Sequence, residues 1–370
     1  MSFEIAIIGG GVIGLTLARA LVLEGAQVAI IDAGEAIPPA SEAAAGMLAP
    51  SFEYGELPAA LGEALYRFGA RGLSLWRDYA AALEEETGVF VDYRGAGALG
   101  VAYSDSDRVL LEAQAARVAA LGGAVEMISG DAAREMEPAL SEAIIAALHA
   151  PKDAQLDPRR VIKALKIWLA ERGATVIVAT AKDVVAQGGG FRLTLANGDE
   201  VSAGKVVLAS GAVSGLAPMG LVYPVKGEAT AVEIKDGLLS RYIRAPGAYL
   251  CPKAEGRLVI GATEEIGRDD IAVEPAAVAG LRLNAAKAAP VLADARELER
   301  WAGLRPGTPD GAPIFGRDEE GRFLALGHYR NGVLHAPAAA EAMAALISGR
   351  EPPVSLVPFG IARFTAGHHG

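Results

Sequence analysis

The sequence predicts a two-domain α/β fold, in which a parallel sheet flanked by helices joins a second domain of mostly antiparallel strands. Three observations predict it. The first thirty-two residues read as strand, glycine turn, helix and strand. From Val222 to about Arg300 the pattern changes to alternating strands with one helix, Pro275 to Ala288. The last seventy residues return to the first style, with a strand over Arg322 to Gly327, a loop from His328 to Leu334 and a small-residue helix from Pro337 to Ile347.

The opening unit carries the strongest signal. Ile5 to Ile8 is an apolar run that leads into Gly9-Gly10-Gly11-Val12-Ile13-Gly14. Gly9 permits the tight turn, Gly11 lets backbone approach a pyrophosphate, and Gly14 lets the helix pack closely on the strand. Phosphates would sit on the unpaired amides at the helix N-terminus. Leu15, Ala18 and Leu21 or Val22 form the buried helix face, Gly25 closes it, and Val28 to Ile31 is a second strand ending at Asp32, an acceptor for a ribose diol. The order of these parts, with the acid about twenty residues on, predicts a bound dinucleotide.

A loop from Ala33 to Pro39 precedes Ser41 to Pro50, whose alanines and glycine leave little side-chain volume. Such a segment packs on a helix or lies against a flat ligand. Leu57, Leu61, Leu65, Phe68, Leu75, Trp76 and Leu83 recur at helical spacing and predict a helix to Thr87. Short antiparallel strands are expected over Val89 to Tyr103, a helix over Asp107 to Leu121 and a strand over Ile144 to His149. Asp157-Pro158 supplies an N-cap and a first-turn proline for a helix whose stripe is Val161, Leu165, Trp168 and Leu169. Val176 to Val178 is a strand, a hairpin turns at Asn197-Gly198, and Val206 to Gly211 is a buried parallel strand returning to the first sheet. The expected division is 1–87, 151–221 and 300–370 for the nucleotide-binding domain, and 88–150 with 222–299 for the other.

Composition narrows the function. The 370 residues are 52% hydrophobic and 21% charged, which suits a soluble globular protein large enough for two cores. Apolar runs stop well short of membrane-spanning length, and the N-terminal run is committed to a strand without a basic lead, so a cytoplasmic protein is expected. The single cysteine, Cys251, rules out an internal disulfide and a cysteine-based metal cluster, and no metal is expected. A net charge of −11 argues against nucleic acid and anionic membrane as partners, although it permits a local cationic pocket. His368 and His369 lie in a glycine-flanked tail and are set aside. Oligomeric state stays open, a homo-oligomer included.

Gly9 to Gly14, Ala43 to Pro50, Val225-Lys226-Gly227-Glu228, Ala302-Gly303-Leu304-Arg305-Pro306-Gly307-Thr308 and His328-Tyr329-Arg330-Asn331-Gly332-Val333 together resemble FAD-dependent glycine oxidases of the D-amino-acid oxidase superfamily. The resemblance spans almost the whole chain. It implies a Rossmann-type FAD-binding domain in three pieces and an antiparallel substrate domain covering the flavin. It puts Val12 and Ile13 at the pyrophosphate, Asp32 (often Glu in the family) and Ala33 at the adenosine ribose, Ala45, Gly46 and Met47 along the isoalloxazine, and the main chain near Lys182 at the adenine. The loop His328, Tyr329, Arg330, Asn331, Gly332, Val333 and Leu334 would meet the pyrimidine edge, where the following helix N-terminus suits negative charge on reduced flavin. Cys251 lies outside the motif that anchors flavin covalently in monomeric sarcosine oxidases, so FAD is expected to be non-covalent.

The implied reaction is hydride transfer from the α-carbon of glycine or a small N-substituted glycine (sarcosine, iminodiacetate) to flavin N5, with O2 as oxidant and hydrogen peroxide as product. Arg305 would hold the substrate carboxylate through two parallel hydrogen bonds, assisted by Tyr249, with Arg330 nearby to stabilise charge. Glu264 and His335 are candidates for a second polar group in the pocket, His335 for the extra carboxylate of iminodiacetate. A D-amino-acid dehydrogenase passing electrons to a quinone is the alternative. A nicotinamide-dependent dehydrogenase leaves the Ala43 to Pro50 segment unexplained, and a purely structural FAD leaves Tyr249, Arg305 and Arg330 unexplained.

Overall fold

The computed structural model describes residues 1–34, 40–53, 59–212 and 215–364. Leu57, most of the expected loop from Ala33 to Pro39 and the histidine tail lie outside them. Among the described residues the chain builds two large sheets. In the first, strands Phe323–Leu326, Glu200–Leu208, Ser2–Ile8, Val28–Asp32 and Thr175–Val178 run parallel in that order, with Ile5 opposite Lys205 on one side and Val28 on the other. Burial on both faces explains why the inner segments, Ile5 to Ile8, Val28 to Ile31 and Val206 to Leu208, read as unbroken apolar runs. Ala6, Ile7, Ile30 and Val207 have no exposed surface. The hairpin turned at Asn197-Gly198 attaches here, through strand Gly190–Leu195.

Four helices, Val12–Leu23, Ala59–Thr87, Pro158–Glu171 and Gly332–Ile347, share one core against this sheet. Leu65, Phe68, Trp76 and Leu83 provide the buried stripe of the long second helix, as their spacing predicts. Asp157 caps the third through its bond from the Arg159 amide, with Pro158 in the first turn. Two boundaries differ from expectation. Helix Asp105–Ala120 starts at Asp105, because Ser104 and Asp107 form a capping box in which each side chain satisfies the other's backbone. The last helix starts at Gly332, so Pro337 lies inside it and the expected loop ends at Asn331.

A proline inside a helix removes the amide that would bond the carbonyl four residues back, here Val333 O. That carbonyl accepts from Trp76 Nε1 at 2.8 Å. A side chain 257 positions away thereby satisfies the acceptor that Pro337 frees, and the helix continues.

The second sheet is mostly antiparallel. Its order is Glu265–Ile266, Tyr223–Glu233, Arg257–Gly261, Ala248–Lys253, Tyr242–Ala245, Ala98–Ala102, Ala146–Ala150, Glu126–Ser129, with Glu297–Gly307 also pairing along Tyr223–Glu233. That last strand corrects the expected division at 299/300. It stays in the antiparallel sheet through Gly307, because Tyr223 pairs with Gly307 and the ladder continues to Val232. Helix Pro275–Ala288 covers one face, over a core of Leu99, Ile243, Leu250, Leu258 and Ile260. No described helix is long and apolar enough to cross a membrane.

Trp76→Phe keeps most of the apolar contact but strands the buried Val333 carbonyl. It is expected to destabilise the protein by about 2 kcal/mol or more, read as a lowered urea midpoint with far-UV dichroism unchanged in buffer.

Candidate functional site

The carboxyl edge of the parallel sheet supports the first part of the site. Gly9 adopts φ +119°, and a Cβ there would stand 2.2 Å from Ala209 O. A Cβ on Gly14 would stand 1.9 Å from Gly9 O, so only glycine lets the helix seat on the turn. Asp32 Oδ2 accepts from the Gly10 amide at 2.6 Å and Oδ1 from the Gly34 amide at 2.9 Å, which fixes the carboxylate beside the turn. Ser41 Oγ accepts from the Val12 amide at 3.0 Å, leaving its own hydrogen to donate. Sequence reasoning assigned Ser41 no role, since only the fold brings it to the helix start.

Opposite lies one file of residues across the antiparallel sheet. Arg244, Tyr249, Gly261, Ala229 and Trp301 are successive register partners on adjacent strands. Paired residues share a face and alternate positions follow, so Gly227, Gly303 and Arg305 join them. The middle of this face is glycine and alanine; its borders are Tyr249, Arg244, Trp301 and Arg305. On this face the glycines make room for side chains that lie along it, the Arg305 guanidinium over Gly227 and the Tyr249 phenol over Gly261. Segment 43–47 is pinned over the same face, with Trp301 Nε1 donating to Ala43 O at 3.0 Å and Ala43 Cβ only 2.4 Å from where a Cβ on Gly303 would be.

Between these walls runs a cavity of about 560 Å³. Gly9, Gly11, Val12, Ile13, Asp32, Ala33, Ala45, Gly46 and Met47 line it, as do Tyr249, Glu264 and Arg305. So do His328, Tyr329, Arg330, Asn331, Gly332 and Val333. The helices Val12–Leu23 and Gly332–Ile347 both point their N-termini at it; in neither does the N-cap residue supply a side-chain bond, and Ser41 Oγ takes the Val12 amide of the first. Two helix starts at one cavity favour a ligand with negative charge in two places. A pyrophosphate at one and the pyrimidine edge of a reduced flavin at the other would meet that demand. The donor set therefore fits FAD.

Four residues expected at the site do not line the cavity. Gly14 packs beneath the turn. Lys182 lies in strand Ala181–Gln187, and neighbouring Ala179, Thr180 and Ala181 form the wall instead. Leu334 turns towards Gly69 and Pro50 on the helix side. His335 is 1% exposed and packs edge-on against Phe68, with its Nδ1 3.4 Å from His328 Nδ1. Burial drives both imidazoles towards the neutral form, His328 down to about 3 and His335 well below its ordinary value. A neutral ring turned into the core cannot receive a substrate carboxylate, so the expectation for His335 is overturned.

Arg305 has the opposite character. Its guanidinium lies over Gly227, Nη1 donates to Thr263 O at 3.1 Å, and among the described residues it has no ion-pair partner. Burial pushes the Tyr249 hydroxyl up to about 12, against the pull of Arg305, so it remains a donor at neutral pH. Tyr329 takes the left-handed φ of 49°, held by its amide bond to Pro306 O at 2.9 Å, and its hydroxyl donates to Glu264. Glu53 and Arg244 were not anticipated. Glu53 Oε1 accepts from Arg244 Nη1, and Arg330 Nε stands 3.5 Å from Glu53 Oε2. Cys251 Sγ is buried under Ala45, 3.3 Å from its carbonyl oxygen, and does not line the cavity.

The chain from 50 to 53 is tied to the sheet by Asp153, which accepts from Ser51 Oγ at 2.8 Å and Tyr242 Oη at 2.9 Å. Burial pushes its carboxyl up to about 7 in spite of both bonds.

Residues 4–346 match the family model DAO, FAD dependent oxidoreductase. The glycine oxidase of Geobacillus kaustophilus is 33% identical, with 98% of this chain and 97% of that protein covered. That of Pseudomonas aeruginosa is 31% identical over 98% of this chain and 99% of its own length. The crystal structure of the Geobacillus kaustophilus glycine oxidase superposes with a TM-score of 0.91, covering 98% of this chain and 99% of that one.

Because the folded-state value of Asp153 lies above the ordinary carboxyl value near 4, the native state binds the extra proton between about pH 4 and pH 7. Its contribution to stability is present at the acid end and is lost as pH rises through 7. Asp153→Asn should remove this slope, so that the unfolding free energy of the variant relative to the parent, from urea titrations at pH 5 and pH 8, rises by a few kcal/mol across that range.

Proposed function

Because the chain belongs to the DAO family of FAD-dependent oxidoreductases, we propose that it oxidises glycine or a small N-substituted glycine such as sarcosine. The strands of the parallel sheet hold the cofactor and the antiparallel sheet holds the substrate. When bound, non-covalent FAD would supply the hydride acceptor, with O2 as the oxidant that restores it and hydrogen peroxide as the product. Gly9, Gly11, Val12, Ile13, Asp32, Ala33, Ala45, Gly46, Met47 and the loop 328–333 hold that cofactor.

The observation that carries the substrate reading is a guanidinium without a carboxylate, Arg305, which lines the cavity and bonds only to backbone carbonyls among the described residues. A substrate carboxylate completes it with two parallel charge-assisted hydrogen bonds, which fix rotation as well as position. Tyr249 donates its hydroxyl to the same group. With the acid end held by Arg305 and Tyr249, the α-carbon would extend into the cavity, where a flat ring would be met. Arg330 stabilises charge at the opening. A neutral amine requires no proton acceptor from the protein, and the buried pair His328 and His335 is turned away from that role.

The purified protein should show a flavin absorption spectrum that bleaches on anaerobic addition of glycine or sarcosine. In air, peroxide should form in step with substrate loss; bleaching without peroxide would favour the dehydrogenase alternative. Arg305→Ala should weaken apparent substrate affinity about a hundredfold or more, reflecting a lost charge-assisted pair of about 3 kcal/mol, while bound FAD is retained. Unchanged affinity would sink the assignment.

A further inference from the structure

Beyond Asp32, five charged side chains line the cavity among the described residues: Glu53, Arg244, Glu264, Arg305 and Arg330. Their pairing is uneven. Arg244 is taken by Glu53. Arg330 lies between Glu53 Oε2 at 3.5 Å and Glu264 Oε2 at 3.8 Å. Arg305 alone bonds only to backbone carbonyls. Three cations against two anions leave one positive charge, which one carboxylate neutralises. Glu264 is also held in place, since Tyr329 donates to it and is itself fixed to Pro306, next in sequence to Arg305.

We propose that Glu264 is a specificity residue: by occupying Arg330 it restricts the site to substrates with a single acid group. This rests on the glycine-type reading above and narrows it. A diacid that placed one carboxylate on Arg305 would bring its second towards Arg330, whose charge is already shared by two carboxylates, and would meet repulsion from Glu264. With Glu264 made neutral, Arg330 becomes a receptor for that second anion. His335 offers no substitute, being buried off the cavity.

The test compares iminodiacetate with its monoamide N-(carbamoylmethyl)glycine, two compounds of equal size that differ by one charge. For the holoenzyme and its Glu264→Gln variant, the ratio of kcat/KM for diacid over monoamide is expected to rise on the order of tenfold in the variant, the effect of one charge across a partly hydrated opening. In Glu264→Gln combined with Arg330→Gln the rise should disappear. An unchanged ratio in Glu264→Gln, or a rise that persists in the double variant, overturns the proposal. Malonate and malonamate, titrated by their perturbation of flavin absorption, measure the same ratio without turnover. Should the parent oxidise neither glycine nor sarcosine, the glycine-type reading fails while this titration still decides the role of Glu264.

Discussion

The structure depends on a face of the antiparallel sheet whose central positions are glycine and alanine, so that the side chains of Arg305 and Tyr249 can lie along it. Gly261, Ala229, Gly227 and Gly303 lie together only because three strands are in one register, and a slip of one residue in any of them would put a different set of side chains on this face. Glycine weakens strands, so the sheet needs support elsewhere. It comes from the reverse face, where Leu250, Leu258 and Ile260 pack beneath helix Pro275–Ala288, and from Lys226, wholly buried and bonded to Asp270 at 2.8 Å. Function is concentrated on the face of glycine and alanine, where Tyr249, Arg244 and Arg305 line the cavity.

The cofactor side solves a complementary problem. A dinucleotide brings negative charge at two places, and a protein of net charge −11 must present positive potential there without spending its basic residues. Two helix N-termini provide it from backbone alone. The second depends on a proline tolerated inside Gly332–Ile347, and hence on Trp76 reaching the carbonyl that the proline leaves free. Core packing and cofactor electrostatics therefore meet in one indole.

What the sequence disclosed follows the range of the interactions involved. The glycine turn and its acid were legible because strand, turn, helix and Asp32 are consecutive, and their geometry is set locally. Helix Pro275–Ala288 was legible down to its ends, with proline in the first turn. The start of Gly332–Ile347 was misjudged because Pro337 looks like a first-turn proline, and the donor that permits it inside the helix lies far away in sequence. His335 misled for a related reason. It follows the flavin loop closely, but the helix turns its ring onto Phe68 and the core. Glu53 and Arg244 carried no readable signal, since an isolated glutamate and an isolated arginine acquire meaning only when a sheet and a loop bring them together.

That last pair also shows why charge in such a site has to be counted across the whole cavity. Arg305 and Arg330 look equivalent in sequence, each an arginine in a short motif. In the fold, one lies against backbone carbonyls and keeps its charge for a ligand, while the other is shared between two glutamates. An arginine is an anion receptor only to the extent that its neighbours leave it one, since a carboxylate already within ion-pair distance competes with any ligand for the same donors. The neighbours in question come from the segment before residue 54, the loop after strand Arg257–Gly261 and the strand carrying Arg244, three places whose proximity depends on the register that also aligns the glycines. Substrate selection and ring accommodation are thus two consequences of one strand alignment, and a substitution that disturbs the register should alter both together.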